Sequence, residues 1–143
     1  MRFRVALAVL AWMAAVGAGD GGAQALKTQW DGVYSDEQSK RGAALYTQHC
    51  ASCHGDDLSG TGSEAPELTG SKFSTRWDDR TLGDIFDRMF VSMPQDAPGS
   101  LARDQHVDIL TFILAKNGFP AGKTDLTSQA EVLSAIKFVA RKP

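Results

Sequence analysis

The sequence has few cysteines and no large excess of charge of either sign. Two of its 143 residues are Cys, and 15 Lys and Arg stand against 17 Asp and Glu, a formal net charge of −2. A disulfide-rich scaffold would need more cysteines, and a nucleic-acid-binding protein would concentrate basic residues on one face. After residue 25, no apolar run approaches the roughly 20 residues that cross a bilayer. These absences predict one small globular domain that binds neither nucleic acid nor an anionic lipid surface.

The first 25 residues have the pattern of a secretory signal peptide. Arg2 and Arg4 precede an uncharged, mainly apolar stretch over residues 5–16, and Ala-Gln-Ala at 23–25 is a small-x-small cleavage site. An uncleaved membrane anchor is the alternative, but the apolar stretch is short for one, and glycines and an aspartate follow it. We therefore expect residues 1–25 to be removed and the mature protein to be soluble and periplasmic, with no integral membrane segment after cleavage.

The two cysteines lie three residues apart and are followed directly by a histidine. Cys50, Cys53 and His54 form the pattern C-x-x-C-H, which is typical of haem c attachment. Two thiols one helical turn apart can each add to one vinyl group of a haem, and the adjacent histidine can reach the iron from the same side. The sequence therefore predicts one covalent haem c, attached through Cys50 and Cys53, with His54 as a ligand of the iron.

Two other uses of these cysteines, a redox-active dithiol and a zinc site, fit the sequence less well than haem attachment. A redox-active dithiol of the thioredoxin kind would lie between a strand and a helix, and no strand-like run precedes Cys50. A structural zinc ion could be bound by His49, Cys50, Cys53 and His54. Zinc sites usually join two separated pairs of ligands, however, and these four residues are nearly contiguous. The spacing favours haem over both.

The sequence before the cysteines predicts a helix, and the sequence after them predicts a loop. Ser35 and Gln38 have the spacing of a capping box, and residues recurring at helical spacing continue from there to Cys50. Residues 55–80 are rich in Gly, Ser, Thr and Asp and contain few strand-like runs. We expect them to form a long loop that packs against the haem.

Two further helices are predicted after that loop. Thr81 and Asp84 have capping spacing, an apolar stripe follows them, and Pro94 stops the helix. The last main helix follows Ser100 and ends at the Asn-Gly pair at 117–118, with a proline two residues beyond. The expected architecture is therefore all-α, with about three main helices and long loops around one haem.

A second iron ligand has few candidates in this chain. Met89 has the spacing of a core residue in the second helix, where methionine usually fills space. Met93 follows that helix, and Pro94 disfavours a helical conformation for it, so a loop would present its thioether. We predict Met93 as the distal ligand. His49 and His106 are weaker candidates, the latter being expected to be a solvated residue near the start of the last helix.

These motifs make the chain resemble a class I monohaem cytochrome c. It is most similar to the small periplasmic cytochromes c that accompany bacterial quinoprotein dehydrogenases. The stretches that match are residues 30–55, 65–73, 92–101 and 107–122. The resemblance implies a small cytochrome c fold with His54 and Met93 as the metal ligands.

The resemblance also implies roles for residues away from the motif. The Pro66 carbonyl would accept the Nδ1 proton of His54, which orients a ligating imidazole. Trp77 would donate to a haem propionate or, equally, pack between loop and core. Gly42 and Tyr46 match the place where the first helix crosses the last. The residues expected to line the haem pocket are Leu68, Phe73, Phe86 and Leu110.

The function implied is outer-sphere electron transfer and not enzyme catalysis. His/Met ligation raises the reduction potential relative to two histidines, and the sequence contains no catalytic triad or phosphate-binding loop. The protein is expected to exchange single electrons with redox proteins, namely a periplasmic dehydrogenase, a terminal oxidase or another cytochrome. It would do so as a free carrier or as the electron-transfer subunit of an oxidoreductase complex. The alternative is a haem-based gas binder or sensor in which Met93 ligates weakly or not at all.

The predicted organisation is a signal peptide at 1–25, a cytochrome c domain at 26–122 and a C-terminal extension at 123–143. The extension carries more basic than acidic residues and has apolar residues at 132, 133, 136 and 139. It is expected to pack back over the domain, and the alternative is a docking segment for a redox partner.

Overall fold

A computed structural model of the protein describes residues 27–62 and 65–143, so the predicted signal peptide lies outside the described residues. In these ranges the chain forms six α-helices and no β-strand, which confirms the all-α prediction. A 3-10 turn, Gln29–Asp31, precedes α1 (Asp36–His49), α2 (Ala51–His54), α3 (Gly70–Trp77), α4 (Leu82–Ser92), α5 (Arg103–Lys116) and α6 (Ala130–Ser134). None of these helices is long and apolar enough to cross a membrane.

Helices α1 and α4 begin where the capping residues predict. The Ser35 hydroxyl accepts the Gln38 N–H at 3.1 Å. At the start of α4, the Thr81 hydroxyl accepts the Asp84 N–H at 3.1 Å and the Asp84 carboxylate accepts the Thr81 N–H at 2.8 Å. Only the second capping box is complete. The one predicted at Ser35 is wrong in its second half, because the Gln38 side chain bonds to the backbone of Leu126 instead.

Helices α1 and α5 cross at Gly42. A Cβ atom on Gly42 would lie 1.9 Å from the backbone oxygen of Asp108 on α5, so glycine alone permits this approach. One turn later, Tyr46 is fully buried and its ring centroid lies 5.1 Å from that of Phe112. The predicted crossing is confirmed. It fixes the end of α1, from which Cys50 follows.

Two helical segments differ from the sequence prediction. Helix α3 lies inside residues 55–80, so the prediction of one long loop is wrong there. It contains several weak helix formers (Gly, Ser and Thr), but it buries Phe73 edge-on against Phe138, with ring centroids 5.9 Å apart. Tertiary packing thus outweighs intrinsic propensity. Helix α2 is separate from α1 because Cys50 leaves helical geometry, with φ −127° and ψ −35°.

Residues 123–143 pack into the fold. Their buried apolar side chains are Leu126, Leu133, Ile136 and Phe138. The backbone of this extension also joins two distant segments. The Leu82 N–H donates to Ile136 O at 2.9 Å, and the Lys137 N–H donates to Lys27 O at 2.8 Å. The extension therefore completes the core.

Two buried glutamines hold the extension in place. The Gln38 amide donates to Leu126 O at 2.8 Å and accepts the Leu126 N–H at 2.7 Å. In the same way, the Gln29 amide donates to Val139 O and accepts the Val139 N–H at 3.0 Å. Each amide satisfies both backbone groups of one residue, as a neighbouring strand would.

Candidate haem-binding site

Cys50, Cys53 and His54 lie on one turn directly after α1. The Cys50 N–H donates to Tyr46 O at 2.8 Å, and the His54 N–H donates to Cys50 O at 2.9 Å. Gly55 ends the turn with φ 77°, and its carbonyl accepts the Tyr46 hydroxyl at 2.8 Å. Burial raises the pKa of that hydroxyl above its usual range, so it stays a donor. Tyr46 therefore anchors both ends of the turn.

The imidazole of His54 is held by Pro66. The His54 Nδ1 lies 3.0 Å from the Pro66 carbonyl oxygen, which can only accept, so Nδ1 carries the proton. His54 is buried overall. Its Nε2 has no hydrogen-bond partner among the described residues, yet it is not a fully buried atom. The lone pair of Nε2 is thus left for another group.

A loop brings Pro66 to the histidine. The Gly60 N–H donates to His54 O at 2.8 Å, and a Cβ on Gly60 would lie 2.2 Å from a backbone oxygen across the loop. Leu58 is fully buried beneath this loop, and its carbonyl accepts the Leu68 N–H at 2.9 Å. The contacts on either side of residues 63–64 therefore fix Pro66 next to His54.

The two cysteines have different environments. Both thiols are free. Cys50 is partly buried and packs against the core, whereas Cys53 is exposed. Burial, and to a smaller degree the neighbouring Cys53, raises the pKa of the Cys50 thiol to about 11. The turn thus presents one thiol to the interior and one to solvent.

Met93 is the residue at which α4 ends. Its N–H donates to Met89 O at 2.8 Å, and its backbone is extended, with φ −122° and ψ 147°. This is the conformation predicted for a residue before Pro94. Met89 lies within α4 and packs partly buried against the core, as its spacing predicts.

His106 differs from its prediction. We expected a solvated side chain, but it is 1% exposed. Its Nδ1 lies 3.1 Å from Ala102 O and its Nε2 lies 3.2 Å from Met93 O. Its ring packs edge-on against Phe86 and Phe90 of α4. Both ring nitrogens therefore face carbonyl oxygens, and one of these belongs to the backbone of Met93, the predicted distal ligand.

The remaining residues implied by the resemblance lie in or against the core. The fully buried ones are Phe73, Phe86 and Leu110, and the partly buried ones are Leu68 and Trp77. The structure thus forms one group from Cys50, Cys53, His54 and Pro66, and a second from Met93 and His106. No hydrogen bond or ring contact within the described ranges joins the two groups.

Asn117 supports the site in a way that sequence reasoning missed. The sequence indicates only its role at the end of a helix. Its side-chain amide donates to Leu68 O at 2.9 Å and accepts the Gly70 N–H at 3.1 Å. The end of α5 is thereby tied to the loop beside Pro66 and to the start of α3. Asparagine at a helix end is such a common signal that its second role could not be read from sequence.

The chemistry of the cysteine–histidine turn fits covalent haem c. Two free thiols are available for thioethers, and one imidazole has a fixed tautomer and an accessible nitrogen for a metal ion. Across residues 27–62 and 65–143, no three His, Cys, Asp or Glu side chains converge as metal ligands. The described chain before Cys50 contains no strand either. The zinc and dithiol interpretations therefore gain no support.

Comparison with known proteins identifies the family. Residues 37–113 match the family described as "Cytochrome C oxidase, cbb3-type, subunit III". The match spans more than half of the chain, so the chain belongs to this cytochrome c family. No curated protein matches it. A chain in the crystal structure of the sulfane dehydrogenase SoxCD from Paracoccus pantotrophus is similar, with 23% identity and a TM-score of 0.53, covering 94% of this chain and 68% of that chain. This likeness shows a shared fold.

Family membership confirms the resemblance to a cytochrome c. The protein has the small all-α cytochrome c fold, binds haem c covalently and carries electrons between redox partners; it is not an enzyme by itself. Cys50 and Cys53 fit the attachment motif. Ligation of the iron by His54 and Met93 stays a prediction at this point, as do the contributions of Leu68 and Trp77.

Proposed function

We propose that this cytochrome is an exported, periplasmic one-electron carrier in which His54 and Met93 are the axial ligands of haem c. The observation that supports it best is the 3.0 Å contact between His54 Nδ1 and the Pro66 carbonyl. Such a bond orients a ligating imidazole and raises its basicity. When bound, haem c supplies reversible one-electron chemistry, and a methionine ligand raises its potential.

The second ligand is supported by the position of Met93. Its backbone is extended at the end of α4, and its N–H is held by Met89 O. The thioether is therefore carried on a short segment anchored to a helix. Met89, one turn earlier, packs with the core and is the natural control.

The surface around Cys53 is the proposed site of electron exchange. Cys53 is exposed whereas Cys50 is partly buried, so a partner can approach the attached group on the Cys53 side. A carrier forms weak, transient complexes, with interfaces at the small end of the range. No acid–base chemistry is needed from the chain there.

We further propose a dehydrogenase as electron donor and a respiratory protein as acceptor. The support is the likeness in fold to a chain in the crystal structure of a sulfane dehydrogenase. Copurification of a large subunit would favour a fixed electron-transfer subunit over a free carrier.

The test is the absorption spectrum of the protein expressed with residues 1–25 in a host that attaches haem c. We expect haemoprotein in the periplasm, with a low-spin spectrum, the weak far-red iron–methionine band and no response to carbon monoxide. That band should disappear in Met93→Ala and persist in Met89→Ala.

Two results would overturn parts of the proposed function. A high-spin wild-type spectrum that responds to carbon monoxide at once would overturn Met93 ligation and favour a gas binder or sensor. Haemoprotein retained in the cytoplasm or membrane would overturn export to the periplasm.

A further inference from the structure

His106 connects α5 to the segment that presents Met93. Its Nε2 lies 3.2 Å from the Met93 carbonyl oxygen and its Nδ1 lies 3.1 Å from Ala102 O. Ala102 O already accepts the His106 backbone N–H at 3.1 Å, as part of the first turn of α5. Within the described residues, Met93 O has His106 as its donor. A neutral imidazole has one ring N–H and can donate to only one of these two oxygens; we assign its proton to Nε2, which then donates to Met93 O.

The ring of His106 cannot easily leave this position. It lies edge-on to two α4 side chains, with centroids 6.3 Å from Phe86 and 5.4 Å from Phe90. The Arg103 guanidinium covers the same two rings at 4.6 and 4.9 Å. Because His106 is 1% exposed, rotating its ring would require repacking these aromatic side chains.

The backbone of Met93 is restrained on both sides. Its N–H donates to Met89 O, and the next residue, Pro94, is buried, has no N–H, and accepts the Ala97 N–H at 3.1 Å. Within the described residues, the contact with His106 is the hydrogen bond that the Met93 carbonyl itself accepts. Hydrogen bonds to His106 of α5 and to Met89 of α4 thus together set the position of the Met93 backbone.

We propose that His106 is a positioning residue that holds Met93 for ligation of the iron. The inference rests on the proposed function, since it requires Met93 to be the distal ligand. A thioether held in place competes better against external ligands, because its conformational freedom is already restricted. Loss of the His106 hydrogen bond should therefore favour displacement of Met93.

The experiment compares two variants of the ferric, haem-loaded protein in which an amide side chain, Gln or Asn, replaces His106. In His106→Gln the amide nitrogen takes the place of Nε2 and can still donate to Met93 O. In His106→Asn it takes the place of Nδ1 and cannot reach. Imidazole is titrated in, and loss of the far-red band is followed. We expect His106→Asn to bind imidazole about two- to tenfold more tightly than wild type, the equivalent of one net hydrogen bond. His106→Gln should stay close to wild type.

A matched control separates positioning from general loss of stability. Thr111→Val removes a buried hydroxyl that donates to Asp108 O at 2.7 Å on the same helix, without touching Met93. Its imidazole affinity should equal that of wild type. If the Asn variant does not fold, His106→Met, which is long but has no donor, takes its place.

The results distinguish failure of this inference from failure of the proposed function. If Met93→Ala keeps the far-red band seen in the wild-type protein, methionine ligation by Met93 is overturned, and this inference with it. A band that requires Met93, combined with equal imidazole affinities in the Asn, Gln and wild-type proteins, would overturn only the role of His106. Equal tightening in His106→Asn and Thr111→Val would also overturn it.

Discussion

At the scale of single residues, two glutamine side chains form the hydrogen bonds to the C-terminal extension that a neighbouring β-strand would form in a sheet. Gln29 and Gln38 are almost completely buried, and each donates to and accepts from one residue of the C-terminal extension. Gln38 lies in α1, where the backbone groups bond along the helix, so the segment beside it needs side-chain partners. Both ends of each amide are used, which makes these residues hard to replace.

Replacing Gln38 tests this arrangement. In Gln38→Ala, the buried N–H and carbonyl of Leu126 lose their partners, and we expect the free energy of unfolding to fall by about 1–3 kcal/mol. Chemical denaturation of the haem-loaded protein measures it. Gln48→Ala changes the same residue type at an exposed position of α1 and should be nearly neutral. Equal effects of the two substitutions would contradict the proposed role of Gln38.

Individual polar residues were the least predictable part of the site. His106 was expected in solvent because histidine is usually at least partly exposed. It stands four residues before Leu110, however, on the apolar face of α5, and that spacing was the available signal. Its partners, Met93 O and Ala102 O, come from another element and from the start of its own helix. Only the fold brings the first of them within reach.

At the scale of helices, a complete capping box begins α4, the helix that Met93 follows. The Asp84 carboxylate accepts the N–H and the hydroxyl of Thr81, each at 2.8 Å. These hydrogen bonds, that of the Thr81 backbone first, lower the pKa of Asp84 below its ordinary value. The charged carboxylate is therefore favoured in the folded protein.

The cap predicts a dependence of stability on pH. Because folding lowers the pKa of Asp84, its contribution is complete above the unfolded pKa of about 3.9 and is lost as pH falls through the folded value. We expect Asp84→Asn to cost about 0.5–1 kcal/mol near neutral pH and progressively less below about pH 4. Denaturation at several pH values measures the difference. Asp87→Asn, in the same helix, is the control, and a difference independent of pH would contradict the prediction.

A helix can be predicted from the sequence when the contacts that begin it lie within one turn of the chain. The starts of α1 and α4 are encoded by residues that touch each other within one turn, at Ser35 and Thr81, so sequence spacing suffices. The N-cap residue of α3, Thr69, makes no capping hydrogen bond; the side chain that accepts the Gly70 N–H is that of Asn117, and the helix buries Phe73 against Phe138, both far along the chain. The i, i+4 spacing of Phe73 and Trp77 was its only local sign. A contact of that range cannot be read from one sequence.

At the scale of the whole molecule, the extension at 123–143 is part of the core. Phe138 is fully buried and lies edge-on to Phe119, with ring centroids 5.3 Å apart. The sequence showed an apolar pattern there but not which surface it covers. Packing accounts for the buried side chains, whereas a role in docking a redox partner stays a prediction.

Removing one buried ring of the extension tests how much the extension contributes to the stability of the fold. Phe138→Ala should lower the free energy of unfolding by about 3–5 kcal/mol, the usual cost of a large cavity. The partly exposed Val132→Ala should change it little, since its side chain is 37% accessible. Thermal unfolding of both variants measures this. A Phe138→Ala protein as stable as wild type would show that the extension is dispensable.

The hydrogen bonds of residues 136–138 also bear on the order in which the protein can fold. They join Lys27 and Leu82 to a segment far along the chain. Until that segment docks, the core lacks the contacts that close it. In a protein exported as proposed above, this closure follows export, so Cys50, Cys53 and His54 lie in an open chain until the extension docks, and haem can be attached in that interval.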